Sequence, residues 1–339
     1  MKSSLATPTN ATSPRRRSVL QMGAASAALG LLGAPAVLRA QTGPTIRVGY
    51  WPIAAGLPFY SAVELGYFKE AGLNVEVLKF AGAQQIMEAM LSDRCDGSAN
   101  GTGSANIAIG ELAQPGTFKI FCSNPSNVDN VLDEVIVPVA STAKTIADLK
   151  GKRIASGPGI QNVTLAKTVL ERGGATGATV VELPIGQHVA ALAAGQIDGA
   201  YTLEPTGTIG RLNGTSRVLE SGVIAHYVLG DPKAPWFGGS ASLTSSFIKK
   251  HPEEAKKFIA AYGKGVAYVR SKATEARQFL KTYTPIEGPL TGEVPLAAYT
   301  MYNEFTPADV AHFQKFFDLF SDKGIFNKRL VVDTMLYKG

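Results

Sequence analysis

The chain carries the same unit twice, about a hundred residues apart: an apolar strand, a Gly-Gln turn, a short helix and an Asp-Gly strand. The first copy runs from Val75 through Gly82-Ala83-Gln84-Gln85 and the segment Ile86 to Leu91 to Asp96-Gly97. The second runs from Val180 through Gly186-Gln187-His188 and the segment Val189 to Ala194 to Asp198-Gly199. Superposing Asp96 on Asp198 also superposes Gln85 on Gln187 and Ala89 on Ala191, with a two-residue gap at the glycines. A period this long does not describe a solenoid of stacked short repeats. It predicts two similar α/β lobes, and two lobes that face one another enclose a cleft where a small ligand can bind.

A length of 339 residues exceeds one ordinary core and fits two domains behind a leader. The leader reads Arg15-Arg16-Arg17-Ser18-Val19-Leu20, then a mild apolar stretch from Met22 to Leu38, then Leu38-Arg39-Ala40 before Gln41. This predicts a twin-arginine signal peptide over 1–41 and a periplasmic location; the Ala- and Gly-rich stretch, broken by Pro35, is short for a spanning helix. Five basic residues and no acid fall in those 41 positions, so the formal charge of +6 leaves about +1 for the remainder. A near-neutral body without a basic run argues against nucleic acid and against electrostatic membrane docking. Export to an oxidising compartment would let Cys95 and Cys122 pair, but they read rather as two buried small apolar side chains, and two cysteines cannot build a Cys-rich zinc site.

Strand and helix signals alternate along the rest: Thr45 to Tyr50 as a strand, Leu57 to Glu70 as a helix, then the first unit, and so on through the second. That order predicts two lobes, each a mostly parallel sheet flanked by helices. Lobe 1 is placed at 42–137 and 236–339, lobe 2 at 138–235, with two crossings between them. Pro252 with Glu253 and Glu254 begins a long helix, and Thr306-Pro307-Ala308-Asp309 a last one whose phenylalanines read as packing.

In such sheets a ligand lies beyond the carboxyl ends of the strands. The turns there supply the candidate ligand-binding residues Trp51, Pro52, Phe59, Gln84, Thr102, Gly103, Gly159, Gln161, His188 and Glu204, with Trp236 from the return crossing. Glycine and small hydroxyl residues at helix starts can hold an anion without Arg or Lys, although strand-to-helix turns require glycine in any case. Trp51 and Trp236 either wall off the ligand or pack the lobe edges. Glu204 either meets a donor group of the ligand or caps its own helix, and His188 either bonds the ligand or is simply a polar residue at a helix start. The chain has four histidines and no His-Glu-x-x-His, Gly-x-Ser-x-Gly or Walker motif, so catalysis, a metal and a cofactor are not expected.

These residues resemble a known family. Arg47-Val48-Gly49-Tyr50, the run Ala62 to Glu76, Asp96-Gly97, the run Ile146 to Ala155, and Gly195 to Ala200 are similar to the extracytoplasmic solute-binding proteins of ABC importers. The group is the one that serves nitrate, sulfonate, taurine and thiamine-precursor pyrimidines, and the likeness spans about residues 45–280. Asp93-Arg94-Cys95 departs from it where relatives often show a glycine. The resemblance implies a two-lobed periplasmic-binding-protein type II fold, a monomer that closes around a small organic solute (sulfonate, carboxylate or nitrogen heterocycle), and a permease partner in the inner membrane. Two alternatives on the same fold stay open, a pyrimidine-precursor synthase-like enzyme, which needs a reactive Cys/His cluster, and a ligand-sensing module.

Overall fold

A computed structural model describes residues 43–339. The expected leader and its twin-arginine segment lie outside the described residues. Among the described residues eleven strands fall into two sheets. The first contains β1 (Thr45–Tyr50), β2 (Asn74–Lys79), β3 (Gly97–Gly103) and β4 (Phe118–Ser126). The second contains β5 (Asp133–Pro138), β6 (Arg153–Ser156), β7 (Thr179–Glu182), β8 (Gly199–Leu203) and β9 (Ser216–Ser221). The chain then returns to the first with β10 (Trp236–Thr244) and β11 (Thr300–Met301).

Strand order is β2-β1-β3-β10-β4-β11 in one sheet and β7-β6-β8-β5-β9 in the other. The two share one plan. In each, three parallel strands joined by helices end on a strand that has crossed from the other lobe, and that strand runs antiparallel to both neighbours. Four of the six strands in the first sheet and four of the five in the second run the same way, as the mostly parallel sheets expected require. The expected boundary at 137/138 cuts through β5, whose partners β8 and β9 place all of Asp133–Pro138 in the second sheet. A single extended run gives no sign of the sheet it will join. The crossings are the stretches 127–132 and 222–235.

The duplicated Asp-Gly pair has a structural cause. Asp96 Oδ2 accepts from the backbone N and the Nε of Arg47, both at 2.9 Å, while its own N–H donates to the Arg47 carbonyl at 2.8 Å. Asp198 repeats this on Arg153, accepting at 2.8 Å and 3.3 Å and donating at 2.8 Å. The carboxylate thus clips the start of the first strand to the start of the third. Directly after it, a Cβ on Gly97 would lie 2.8 Å from the Ser242 carbonyl, and one on Gly199 would lie 3.2 Å from that of Ile136. Each glycine lies where the crossing strand runs closest.

The helix expected over Leu57 to Glu70 is two, Leu57–Glu64 and Tyr67–Glu70, separated at Gly66 with φ 74°, a conformation that favours glycine. Helix Pro252–Ser271 packs on Leu57–Glu64 so closely that a Cβ on Gly265 would stand 2.2 Å from the Pro58 carbonyl. Helix Pro307–Asp322 starts in a capping box in which Thr306 Oγ1 accepts from Asp309 N–H and the Asp309 carboxylate accepts from Thr306 N–H. Its Phe313, Phe316, Phe317 and Phe320 are fully buried in the core. Cys95 and Cys122 are buried free thiols. No helix among the described residues is long and apolar enough to cross a membrane.

Candidate functional site

The carboxyl ends of β1, β2 and β3 face those of β6, β7 and β8 along a seam between the lobes, and the turns there touch. Ala54 N–H donates to the Glu204 carbonyl at 2.8 Å. Ala105 N–H donates to Gln161 Oε1 at 2.7 Å, and Gln161 Nε2 donates to the Gly238 carbonyl at 2.9 Å. Ile160 N–H donates to Gln84 Oε1 at 3.3 Å. Gln161, in the first turn of helix Ile160–Arg172, reaches across because Gly103 opposite has no side chain; a Cβ there would meet the Gln161 carboxamide at 2.9 Å. Gly159, with φ +100°, lies against Gln84 and donates its N–H to Glu182.

A cavity of about 430 Å³ opens on this seam. Trp51, Pro52, Ile53, Lys79 and Phe80 border it from the first lobe, and Ile185, Gln187 and Thr206 from the second. Trp51 is held by its Nε1, which donates to the Gly101 carbonyl at 2.8 Å, and its buried ring backs the cavity wall without offering a donor. A second cavity, of about 520 Å³, lies where Gln84 meets Gly159.

The structure thus gathers Trp51, Pro52, Gln84, Gly103, Gly159 and Gln161 at the seam. Thr102 lies beside them, buried, its hydroxyl turned back onto the Ala99 carbonyl at 2.9 Å. Phe59 is not brought there: it is fully buried in the first lobe, between Phe68 and Tyr262, because it lies on the inner stripe of its helix. Trp236 is also interior, its indole against Phe316 and over Gly238.

His188 is fully buried, Nδ1 on the Thr202 hydroxyl at 3.1 Å and Nε2 on the Leu183 carbonyl at 2.9 Å. Burial lowers its pKa to about 4, so it is a neutral strut within the second lobe. Glu204 caps its own helix, Thr206–Leu212: its Oε2 accepts from Thr208 N–H at 3.3 Å, and only its carbonyl meets the other lobe.

Behind that turn the Glu204 carboxyl lies beside that of Glu134, and Glu134 Oε2 has no hydrogen-bond partner among the described residues. Burial raises both, Glu134 well above the ordinary range with the Glu204 charge adding to the effect. On the opposite face of the sheet, burial lifts Asp133 to about 6 although its Oδ2 accepts from Ile224 N–H.

Lys79, Phe80 and Ile185 went unrecognised in the sequence as residues of the site. Each lies within a few residues of a Gly turn that was recognised, at the last strand position or just beyond it, where side chains project over the sheet end.

Two lobes of one strand plan, two antiparallel crossings and a seam of strand-end turns define the periplasmic-binding-protein fold. The chain belongs to the NMT1/THI5 like family, whose model matches residues 55–276. No curated protein matches the sequence significantly. Among solved structures, the alkanesulfonate-binding protein SsuA from Xanthomonas axonopodis pv. citri, bound to MOPS, is similar with a TM-score of 0.69 and 19% identity over 87% of this chain and 98% of that one. The periplasmic nitrate-binding protein NrtA from Synechocystis PCC 6803 gives 0.64 and 14% over 86% and 84%. The desulfurization enzyme DSZB gives 0.64 and 13% over 86% and 96%.

Proposed function

We propose that this chain is the extracytoplasmic solute-binding component of an ABC importer, monomeric and exported by the twin-arginine route. It captures a small organic solute between its lobes by hinge closure and presents the closed form to an inner-membrane permease. The observation that carries this reading is the seam itself. Turns from two separate sheets meet through only a handful of hydrogen bonds around a cavity, and just two crossings join the lobes, which is the arrangement a hinged clamp requires. The binding proteins among the similar structures support it.

An enzyme on this fold would need an accessible nucleophile. Burial pushes Cys95 to about 11 and Cys122 to about 12, so neither thiol ionises near neutral pH, and His188 has both ring nitrogens engaged. These groups favour capture over chemistry.

The test is small-angle scattering of the full chain against pooled sulfonates, carboxylates, pyrimidines and amines, with mass spectrometry of the recovered solute. A pool that reduces the radius of gyration and is recovered unchanged is the expected result. No compaction by any pool, or recovery of a transformed solute, overturns the reading.

A further inference from the structure

The solute-binding reading leaves open what the solute is, and the cavity at the seam narrows it; this inference rests on that reading. The wall made by Trp51, Pro52, Ile53, Phe80, Pro184 and Ile185 is apolar. Part of its hydrogen-bonding capacity is also spent inside the protein. Trp51 Nε1 is engaged by Gly101, Ile53 N–H by the Trp51 carbonyl, and Phe80 N–H by the Tyr50 carbonyl, while the prolines have no N–H to offer. A solute that rests on this wall gains by leaving water. A small oxyanion would lose hydration there without replacement. A volume of about 430 Å³ falls within the range of roughly 300–1,000 Å³ that holds organic ligands.

One charged side chain borders the same cavity. Lys79, the last residue of β2, is exposed, and its ammonium has no carboxylate or acceptor partner among the described residues. No acidic residue lines the cavity; Gln187 and Thr206 supply the remaining polar groups. An unpaired cation at the rim of an otherwise apolar chamber matches one anionic head on an apolar body.

We infer that the solute is a ring-bearing organic monoanion, its ring against Trp51, Phe80 and Ile185 and its carboxylate or sulfonate at Lys79. Calorimetry on the full chain tests this with benzoate, cyclohexanecarboxylate, benzamide, methanesulfonate and nitrate. The two ring anions are expected to bind at least tenfold tighter than methanesulfonate or nitrate, and benzoate tenfold tighter than benzamide. Lys79→Gln, on an exposed strand end, is expected to erase the benzoate-benzamide difference, and Ile185→Ala to weaken both ring anions about fivefold.

Methanesulfonate or nitrate binding as tightly as the ring anions would overturn the inference, as would equal affinity for benzamide and benzoate in the unaltered protein. Compaction by a solute of another class, with none of these five binding, sinks it while leaving solute capture intact. Failure of every pool to compact the protein removes the functional reading as well.

Discussion

The Gln161 carboxamide and the Gly238 carbonyl form a hydrogen bond of 2.9 Å that joins the second lobe to the strand by which the chain re-enters the first. The same side chain accepts from Ala105 N–H at 2.7 Å, so one residue makes two of the bonds that span the seam. An amide is the only side chain of that length that both donates and accepts here.

Gln161→Ala therefore removes both bonds and leaves a buried N–H and C=O facing each other, at a net cost of about 1–3 kcal/mol to the closed form. Solute affinity is expected to fall by about tenfold or more while the melting temperature stays within a few degrees. Gln161→Glu should weaken binding too, since a carboxylate can accept from Ala105 but cannot donate to Gly238. Titration calorimetry with any solute that closes the lobes decides this; unchanged affinity in both variants would mean that the bridge does not hold the seam.

The duplicated Asp-Gly pairs separate in their effects because their surroundings differ. The side chains of Arg47 and Asp96 are 36% and 16% exposed, against 50% and 34% for Arg153 and Asp198. Asp96→Ala is expected to cost about 2 kcal/mol and Asp198→Ala about 1 kcal/mol, since water screens the second clip more and competes for its bonds. Urea denaturation of the two variants gives the comparison, and equal losses would count against exposure as the reason.

The fold was legible to the extent that its signals are local. Strand periodicity, the Pro252 and Thr306 helix starts and the Asp-Gly repeat all survive in the structure, because each depends on residues near in sequence. The sheet to which β5 belongs did not, since that depends on pairing with β8 and β9. At the site, Gln161 and Trp51 were found from strand-to-helix turns. Phe59, Trp236 and His188 were misplaced because an aromatic or polar residue beside a turn can point inward or outward with equal ease. Their direction is fixed by partners such as Tyr262, Phe316 and Thr202, which lie 203, 80 and 14 residues away.

The buried imidazole of His188 sets a pH dependence whose sign follows from its lowered pKa of about 4. The unfolded chain takes up a proton near pH 6.5 that the folded protein refuses until about 4, so the contribution of His188 is complete above 6.5 and is lost as pH falls toward 4. The loss amounts to about 3 kcal/mol. Asp133, raised to about 6, acts in the opposite sense over nearly the same window, stabilising the folded state as it takes up a proton below pH 6. The difference between the unaltered protein and His188→Gln should therefore shrink by about 3 kcal/mol from pH 6.5 to 4. Denaturant midpoints at pH 7 and pH 4.5 measure this; a difference that stays constant would show that the imidazole titrates freely.

The Glu134 and Glu204 carboxyls impose the reverse dependence. Both are raised by burial, so the stability they contribute is full below the ordinary carboxylate value near 4.5 and is lost as pH rises from there through the folded-state values. Glu134→Gln keeps the shape and removes the proton that must be lost, and it is expected to raise the melting temperature at pH 8 to 9 with little change at pH 5. Differential scanning calorimetry across that range is the check, and a variant less stable at every pH would mean that the second carboxyl oxygen makes a bond that an amide cannot.

The two tryptophans are expected to part company under the same conservative change. Trp51 Nε1 donates to the Gly101 carbonyl, whereas Trp236 Nε1 is buried with no acceptor. Trp51→Phe leaves the Gly101 carbonyl without its donor and removes one wall of the seam cavity, costing about 1–2 kcal/mol in stability and several-fold in solute affinity. Trp236→Phe discards an N–H that gains nothing in the folded state and keeps an aromatic face on Phe316 at the cost of some packed volume. Its stability should change by less than about 1 kcal/mol and its solute affinity not at all. Thermal melts and calorimetry on the pair settle the matter: if Trp236→Phe proves the more damaging to binding, the return crossing and not the Trp51 turn forms the wall of the binding chamber.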